Sequence, residues 1–231
     1  MVKEFTKNMF VMLLAIMLGA VIVTYFVGDI VNRSKIETLT TQYEGEITSV
    51  KDRSENFTSH FLKSSVVLDQ SREDRALGNY YFDLAYLWYE TALSEKNVSL
   101  LTIYKGRGIE NCTYAMPVFY NAYLNFLDAK TYFNDTKAYT DKYFDILDLY
   151  VNLTESGSRL TMLRYNASLY LMYLTENLTF NAVTNTVVYL ENVTGLLMIF
   201  QQTILEYKTE LIVFENLQQD IDEYEFFEEI R

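Results

Sequence analysis

Proline, cysteine and histidine occur once each, as Pro117, Cys112 and His60, and only eight glycines are spread over 231 residues. So little proline and glycine excludes collagen-like chains and turn-rich all-β architectures, which need those residues at their corners. A lone cysteine excludes an intramolecular disulfide framework, and a lone histidine removes the usual zinc and catalytic-dyad arrangements. Basic residues are in deficit, with 19 Lys and Arg against 31 Asp and Glu for a net charge of −12. Nucleic acid as a partner is disfavoured, because phosphates call for a basic footprint. Aromatics, by contrast, are abundant: 20 Tyr and 15 Phe place the chain well outside disordered compositions.

One long apolar run stands out. Met9–Gly28 (MFVMLLAIMLGAVIVTYFVG) carries no charge over 20 residues. As a helix it would reach roughly 30 Å, the thickness of a bilayer's hydrocarbon core. Lys3 and Lys7 precede it and Arg33 and Lys35 follow, so the positive-inside rule does not set its orientation. A cleaved signal peptide is the alternative. Its apolar core is normally about 7–15 residues and ends in small residues, whereas here apolar residues continue past Leu18-Gly19-Ala20. The expectation is an uncleaved transmembrane signal anchor at 9–28, a short cytoplasmic tail at 1–8 and an extracytoplasmic domain at 29–231.

Orientation comes from the sequons. Asn-x-Ser/Thr is the acceptor for N-linked glycans and marks exported surface chain. Nine occur, at Asn32, Asn56, Asn97, Asn111, Asn134, Asn152, Asn166, Asn177 and Asn192, all after the apolar run. Pairing the chain's 16 Asn with its 34 Ser and Thr by chance would give roughly two. The N-terminus is therefore expected inside and the remainder outside, glycosylated at those positions. Exported domains usually carry paired cysteines. In composition, a glycosylated exterior without disulfides resembles archaeal cell-surface proteins more than animal ectodomains.

The periodicity is helical almost throughout. Ile36, Tyr43, Ile47, Val50, Phe57, Phe61 and Leu68 recur in steps of seven, four or three, a heptad seam interrupted by Thr40, Ser54 and Ser64. It predicts a helix over about 31–69, continuous with the anchor, with a polar pause at Ser71–Asp74. A second helix over 73–95 is apolar around most of its circumference and is expected at the centre of the core. The stretch from Asn97 to Asn111, with Gly106 and Gly108, reads as a loop, and Pro117 suits the first turn of a helix over 116–133. Helices over 137–153, 159–176 and 180–192 follow, separated near Asn134–Thr136 and Glu155–Ser158. Thr184, Thr186, Val187 and Val188 weaken the helical reading of 180–192. Leu197, Phe200, Ile204, Tyr207, Leu211, Phe214 and Ile221 form a final seam over 195–229. The expected fold is all-α: after the transmembrane helix, an antiparallel bundle of about six to seven helices, long first and last helices paired.

Chemistry-bearing motifs are scarce. Gly106-Arg107-Gly108 is too short to cradle phosphates, and no metalloprotease, nucleophile-elbow or EF-hand spacing is present. No catalytic, metal or cofactor-binding residue is assigned. His60, beside Phe61, reads as a packed or surface histidine. Cys112, inside the sequon Asn111-Cys112-Thr113, reads as a small semi-buried residue, with an intermolecular disulfide as the sharper alternative. The 18 tyrosines between Tyr80 and Tyr224 read as core and interface, or else as a stacking surface for a ligand. Glu215, Asp220, Asp222, Glu223, Glu225, Glu228 and Glu229 crowd a helix C-terminus, where negative charge is unfavourable. They form a solvated acidic face, or one relieved by a divalent cation or a basic partner.

The leading functional expectation is a non-enzymatic, single-pass cell-surface glycoprotein. Its helical ectodomain would serve a structural or interaction role, self-associating or binding another membrane protein through its seams. A ligand-sensing ectodomain is the second reading; its short inner tail would require a membrane partner to signal. A third is a filament subunit, since the positive leader and long apolar helix resemble type IV pilins. Lys7-Asn8 lacks the small residue of such processing sites, and the exterior lacks their β pattern.

Overall fold

The computed structural model describes residues 2–224, with side chains described from residue 31 onward. Four α-helices carry the fold: α1 (Val2–Ser94), α2 (Val98–Thr136), α3 (Phe144–Glu176) and α4 (Thr194–Asp222). A 3-10 turn (Lys137–Tyr139) lies between α2 and α3, and a two-stranded hairpin, β1 (Leu178–Asn181) and β2 (Thr186–Tyr189), lies between α3 and α4. The chain divides into two compact units, residues 1–53 and 54–231. Among the described residues no helix is long and apolar enough to cross a membrane. The side chains of the expected span, Met9–Gly28, lie outside that set.

From residue 54 to residue 224 the described chain forms an up-down-up-down four-helix bundle. Phe61 meets Phe133, Asn125 donates to Asp74, and Gly108 lies against Ala85 and Trp88, so α1 and α2 run antiparallel. Phe133 stacks on Tyr150 and Gly108 faces Thr175, which sets α3 antiparallel to α2. Contacts of Arg75 with Phe214 and of Tyr86 with Phe200 close the ring between α1 and α4. The last helix therefore packs antiparallel on α1, through Arg75 and Tyr86 of the stretch expected as a separate helix over 73–95 rather than through residues 31–69.

Each helix buries a stripe in alternating steps of three and four. On α1 it runs 64, 68, 71, 75, 78, 82, 85, 89, 92; on α2 it runs 101, 105, 108, 112, 115, 119, 122, 126, 129, 133, 136. This spacing keeps one seam facing its neighbours along the full length of a helix. Two apolar clusters result. One, toward the hairpin, holds Phe82, Phe119, Leu171 and Phe200, and the other holds Leu68, Phe126, Phe133, Leu160 and Phe214.

The six or seven helices expected are corrected to four. Ser71 does not end a helix: it is fully buried, and its hydroxyl donates to the Val67 carbonyl at 2.7 Å. Serine and threonine that satisfy themselves on the preceding turn can sit in a seam, as Ser64, Thr161, Ser168 and Thr175 also do. The expected loop at 97–111 is helix. Asn97 caps it, accepting from the Ser99 and Leu100 amides, and Pro117 lies deep inside α2 rather than in its first turn. Pro117 and Thr113, whose carbonyl loses its usual partner, are both exposed, so water can substitute. Glu155–Ser158 is helical too, within α3.

The expected helix over 180–192 is instead the hairpin, with Leu178 opposite Tyr189 and Asn181 opposite Thr186. Asn181 accepts from the Val183 and Thr184 amides, Asn185 takes φ 53°, and the β-branched run Thr186–Val188 fills β2. The helix over 73–95 buries only its stripe; Leu77, Tyr80 and Leu87 are exposed. The last helix is described to Asp222, and the remainder of its expected range to 229 lies largely outside the described residues.

Candidate functional site

Charged residues occupy four slots of the buried stripes: Arg75 on α1, Lys105 on α2, Arg164 on α3 and Glu210 on α4, each half-buried. Two of them have evident partners. Lys105 Nζ donates to the carbonyls of Glu176 and Leu178, tying α2 to the start of the hairpin. Burial holds its ammonium below the usual lysine range, opposed by Glu176. Glu210 accepts from Ser156 Oγ at 2.6 Å.

The two arginines are held differently. The Arg164 guanidinium lies 4.3 Å from the Phe82 ring centroid and 4.0 Å from that of Tyr207, one ring from each apolar cluster. Arg75 lies 4.3 Å from the Phe214 centroid. Cation–π contact stabilises a partly desolvated guanidinium by about 1–2 kcal/mol, but it satisfies none of the five N–H donors. Arg164 Nε and Arg75 Nη1 are buried with no hydrogen-bond partner among the described residues. Burial pushes Arg75 below the ordinary arginine range, with Tyr207 pulling the other way and Arg72, Glu215 and Arg164 also acting on it.

Arg164 also lines a groove of about 350 Å³ between α1 and α4. Phe82, Tyr86 and Phe200 form its aromatic walls, Tyr86 and Phe200 stacking at 6.3 Å, and Lys208 and Asp83 stand at exposed positions along it. A second groove, about 540 Å³, runs between α3 and α4 and includes Met162, Asn166, Leu205 and Glu206. A glycan on Asn166 would lie over that second groove.

The nine sequon asparagines do not gather in one place. Asn32, Asn56, Asn97, Asn134, Asn152 and Asn192 are exposed, Asn111, Asn166 and Asn177 are half-buried, and none is buried. Most of them are not in loops: Asn32, Asn56, Asn111, Asn134, Asn152 and Asn166 lie within helices. Only Asn97, Asn177 and Asn192 flank helix ends. Asn111 and Asn177 donate their side-chain amides to the carbonyls of Arg107 and Tyr173, so those two nitrogens are engaged.

Cys112 is fully buried on α2 rather than semi-buried, which leaves no thiol at the surface for a second chain. Burial, reinforced by Glu176, pushes its pKa up to about 12. His60 packs on Tyr139 with ring centroids 4.9 Å apart. Among the described residues no three His, Cys, Asp or Glu side chains are grouped to share a metal ion. Glu225, Glu228 and Glu229 of the acidic cluster lie outside the described residues. Sequence reasoning missed the arginine layer. Its signal was present, since Arg75 and Arg164 each fall where the three-four spacing demands an apolar residue.

No protein-family model, no curated protein and no solved structure matches the chain.

Proposed function

We propose that the chain is a membrane-anchored surface glycoprotein whose four-helix domain lies outside the membrane and serves assembly or interaction rather than catalysis. The observation that carries this reading is the distribution of the nine sequons. All follow the uncharged run Met9–Gly28, and the fold buries none of their asparagines. Chance pairing of the chain's Asn with its Ser and Thr would give roughly two sequons, not nine. The anchor is Met9–Gly28, long enough as a helix to cross a hydrocarbon core. Self-association runs through the seam Ile36, Tyr43, Ile47 and Val50, which is exposed in the single chain.

Intact mass and glycopeptide mapping of protein purified from its native membrane test the proposal. The expected result is a mass well above the unmodified 27.1 kDa, with sugars on several of the nine asparagines and Met9–Gly28 retained. Occupancy should be highest at Asn97 and Asn192, exposed beside helix starts, and lowest at Asn166, which lines a groove. A bare full-length chain would overturn the outside topology. Loss of the N-terminal segment would overturn the anchor.

A further inference from the structure

Arg164 is the one guanidinium that joins both apolar clusters, and it makes no side-chain hydrogen bond or ion pair among the described residues. The rings of Phe82 and Tyr207 contact its π-faces, and neither supplies an acceptor for the N–H edge. Such an edge is a fork of fixed geometry that matches a carboxylate with two parallel hydrogen bonds. Its Nε–H is buried without a partner, and leaving such a donor unmet costs free energy that a suitable acceptor would recover.

The groove it lines selects further. Aromatic side chains make up its walls, Ile204 adds an apolar patch, and its volume of about 350 Å³ suits a ligand of one ring or a little more. Arg164 and Lys208 give it two cations against the single carboxylate of Asp83, which favours a monoanion over a multiply charged phosphate. None of the nine sequons lies among its lining residues, so glycosylation would leave it open. We propose that the α1–α4 groove binds a small aromatic monocarboxylate, the Arg164 guanidinium clasping the carboxylate while Phe82, Tyr86 and Phe200 meet the ring. The site depends on the bundle alone and stands whether or not the chain is anchored or glycosylated.

Benzoate titrated calorimetrically into the full-length protein is the probe, with benzamide and inorganic phosphate as comparison titrants. Benzoate is expected to bind saturably, benzamide at least tenfold more weakly, and phosphate not to displace it. Arg164→Gln should weaken benzoate at least tenfold, while Arg159→Gln, on the same helix but paired with Glu155, leaves it unchanged. Two further variants keep the test decisive if Arg164→Gln fails to fold. Exposed Lys208→Gln should weaken binding a few-fold, and Ile204→Trp should block the groove without altering charge. The proposal fails if benzoate shows no saturable binding, if benzamide binds equally well, or if both Lys208→Gln and Ile204→Trp bind like the parent.

Discussion

Cys112 shows how a single burial event sets a measurable pH response. Its thiol ionises near pH 9 when exposed and only near about 12 in the fold, because the surroundings cannot solvate a thiolate. A pKa raised on folding means the folded state holds the proton more tightly. The associated stability is complete below about 9 and is lost as pH rises toward about 12. Tyr89, raised by burial and by its hydroxyl contact with Tyr189, and Tyr150, raised chiefly by burial, act in the same direction. Urea unfolding at about pH 8 and about pH 11 should therefore show a marked alkaline loss, and Cys112→Ala should flatten it by at most about 1.4 kcal/mol per pH unit. An unchanged alkaline slope would mean that the thiol is not shielded as described. Thiol labelling gives the same answer without titration: maleimide should modify Cys112 only when the chain is unfolded.

At the scale of elements, glycine does work opposite to the role its position in the sequence suggests. Gly157 lies in α3 where a helix break was expected, yet it is buried, and a Cβ built there would meet the Phe126 ring, with Cζ at 2.6 Å. Gly78 receives Phe119 in the same way, with Cδ1 at 2.7 Å. Both rings are fully buried and cannot swing away, so each glycine is a notch that lets two helices close on an aromatic side chain. Gly157→Ala is expected to destabilise by about 1–3 kcal/mol through overpacking. Gly106→Ala, also mid-helix but with nothing within 4 Å of the added methyl, should stabilise by about 0.4–1 kcal/mol. Thermal unfolding of the two variants should move in opposite directions; a common direction would refute the notch. The same contrast explains what was legible. Apolar spacing identified Phe57, Phe61, Leu68, Phe200, Tyr207, Phe214 and Ile221 as seam, and all pack in the second cluster or at its neighbour. Helix ends were not legible, since Ser71, Gly108, Gly157 and Ser158 look like punctuation locally and become packing only when a partner helix is present. Arg164 was overlooked for the converse reason: a charge in a seam slot reads as surface until the rings of Phe82 and Tyr207 are known to face it.

For the whole molecule, the register of α1 raises the question of assembly. The spacing that buries 64, 68, 71, 75 and 78 in the bundle keeps the same phase back through 61, 57, 54, 50, 47, 43 and 36, with polar residues at 54 and 40. Within residues 31–53 the seam positions Ile36, Tyr43, Ile47 and Val50 are 61–67% exposed. Burying one such aliphatic side chain fully stabilises by about 1.5–3 kcal/mol, so the seam gains from a partner even though Thr40 and Ser54 weaken it. A second copy would supply the matching heptads. In a parallel pair, with Ile47 at a and Val50 at d, Glu46 at g faces Lys51 at e of the other chain, a complementary contact that an antiparallel pair would not make. Chemical cross-linking of the membrane-purified chain should yield dimers that Ile47→Asp abolishes. Val50→Cys is the sharper test, because a d-position residue meets its own counterpart only in a parallel, in-register pair. With Cys112 buried, any disulfide-linked dimer of that variant must come from position 50. Dimers that cross-link in the parent but never form the disulfide would exclude the parallel register, and an exclusively monomeric parent would exclude the seam as an interface.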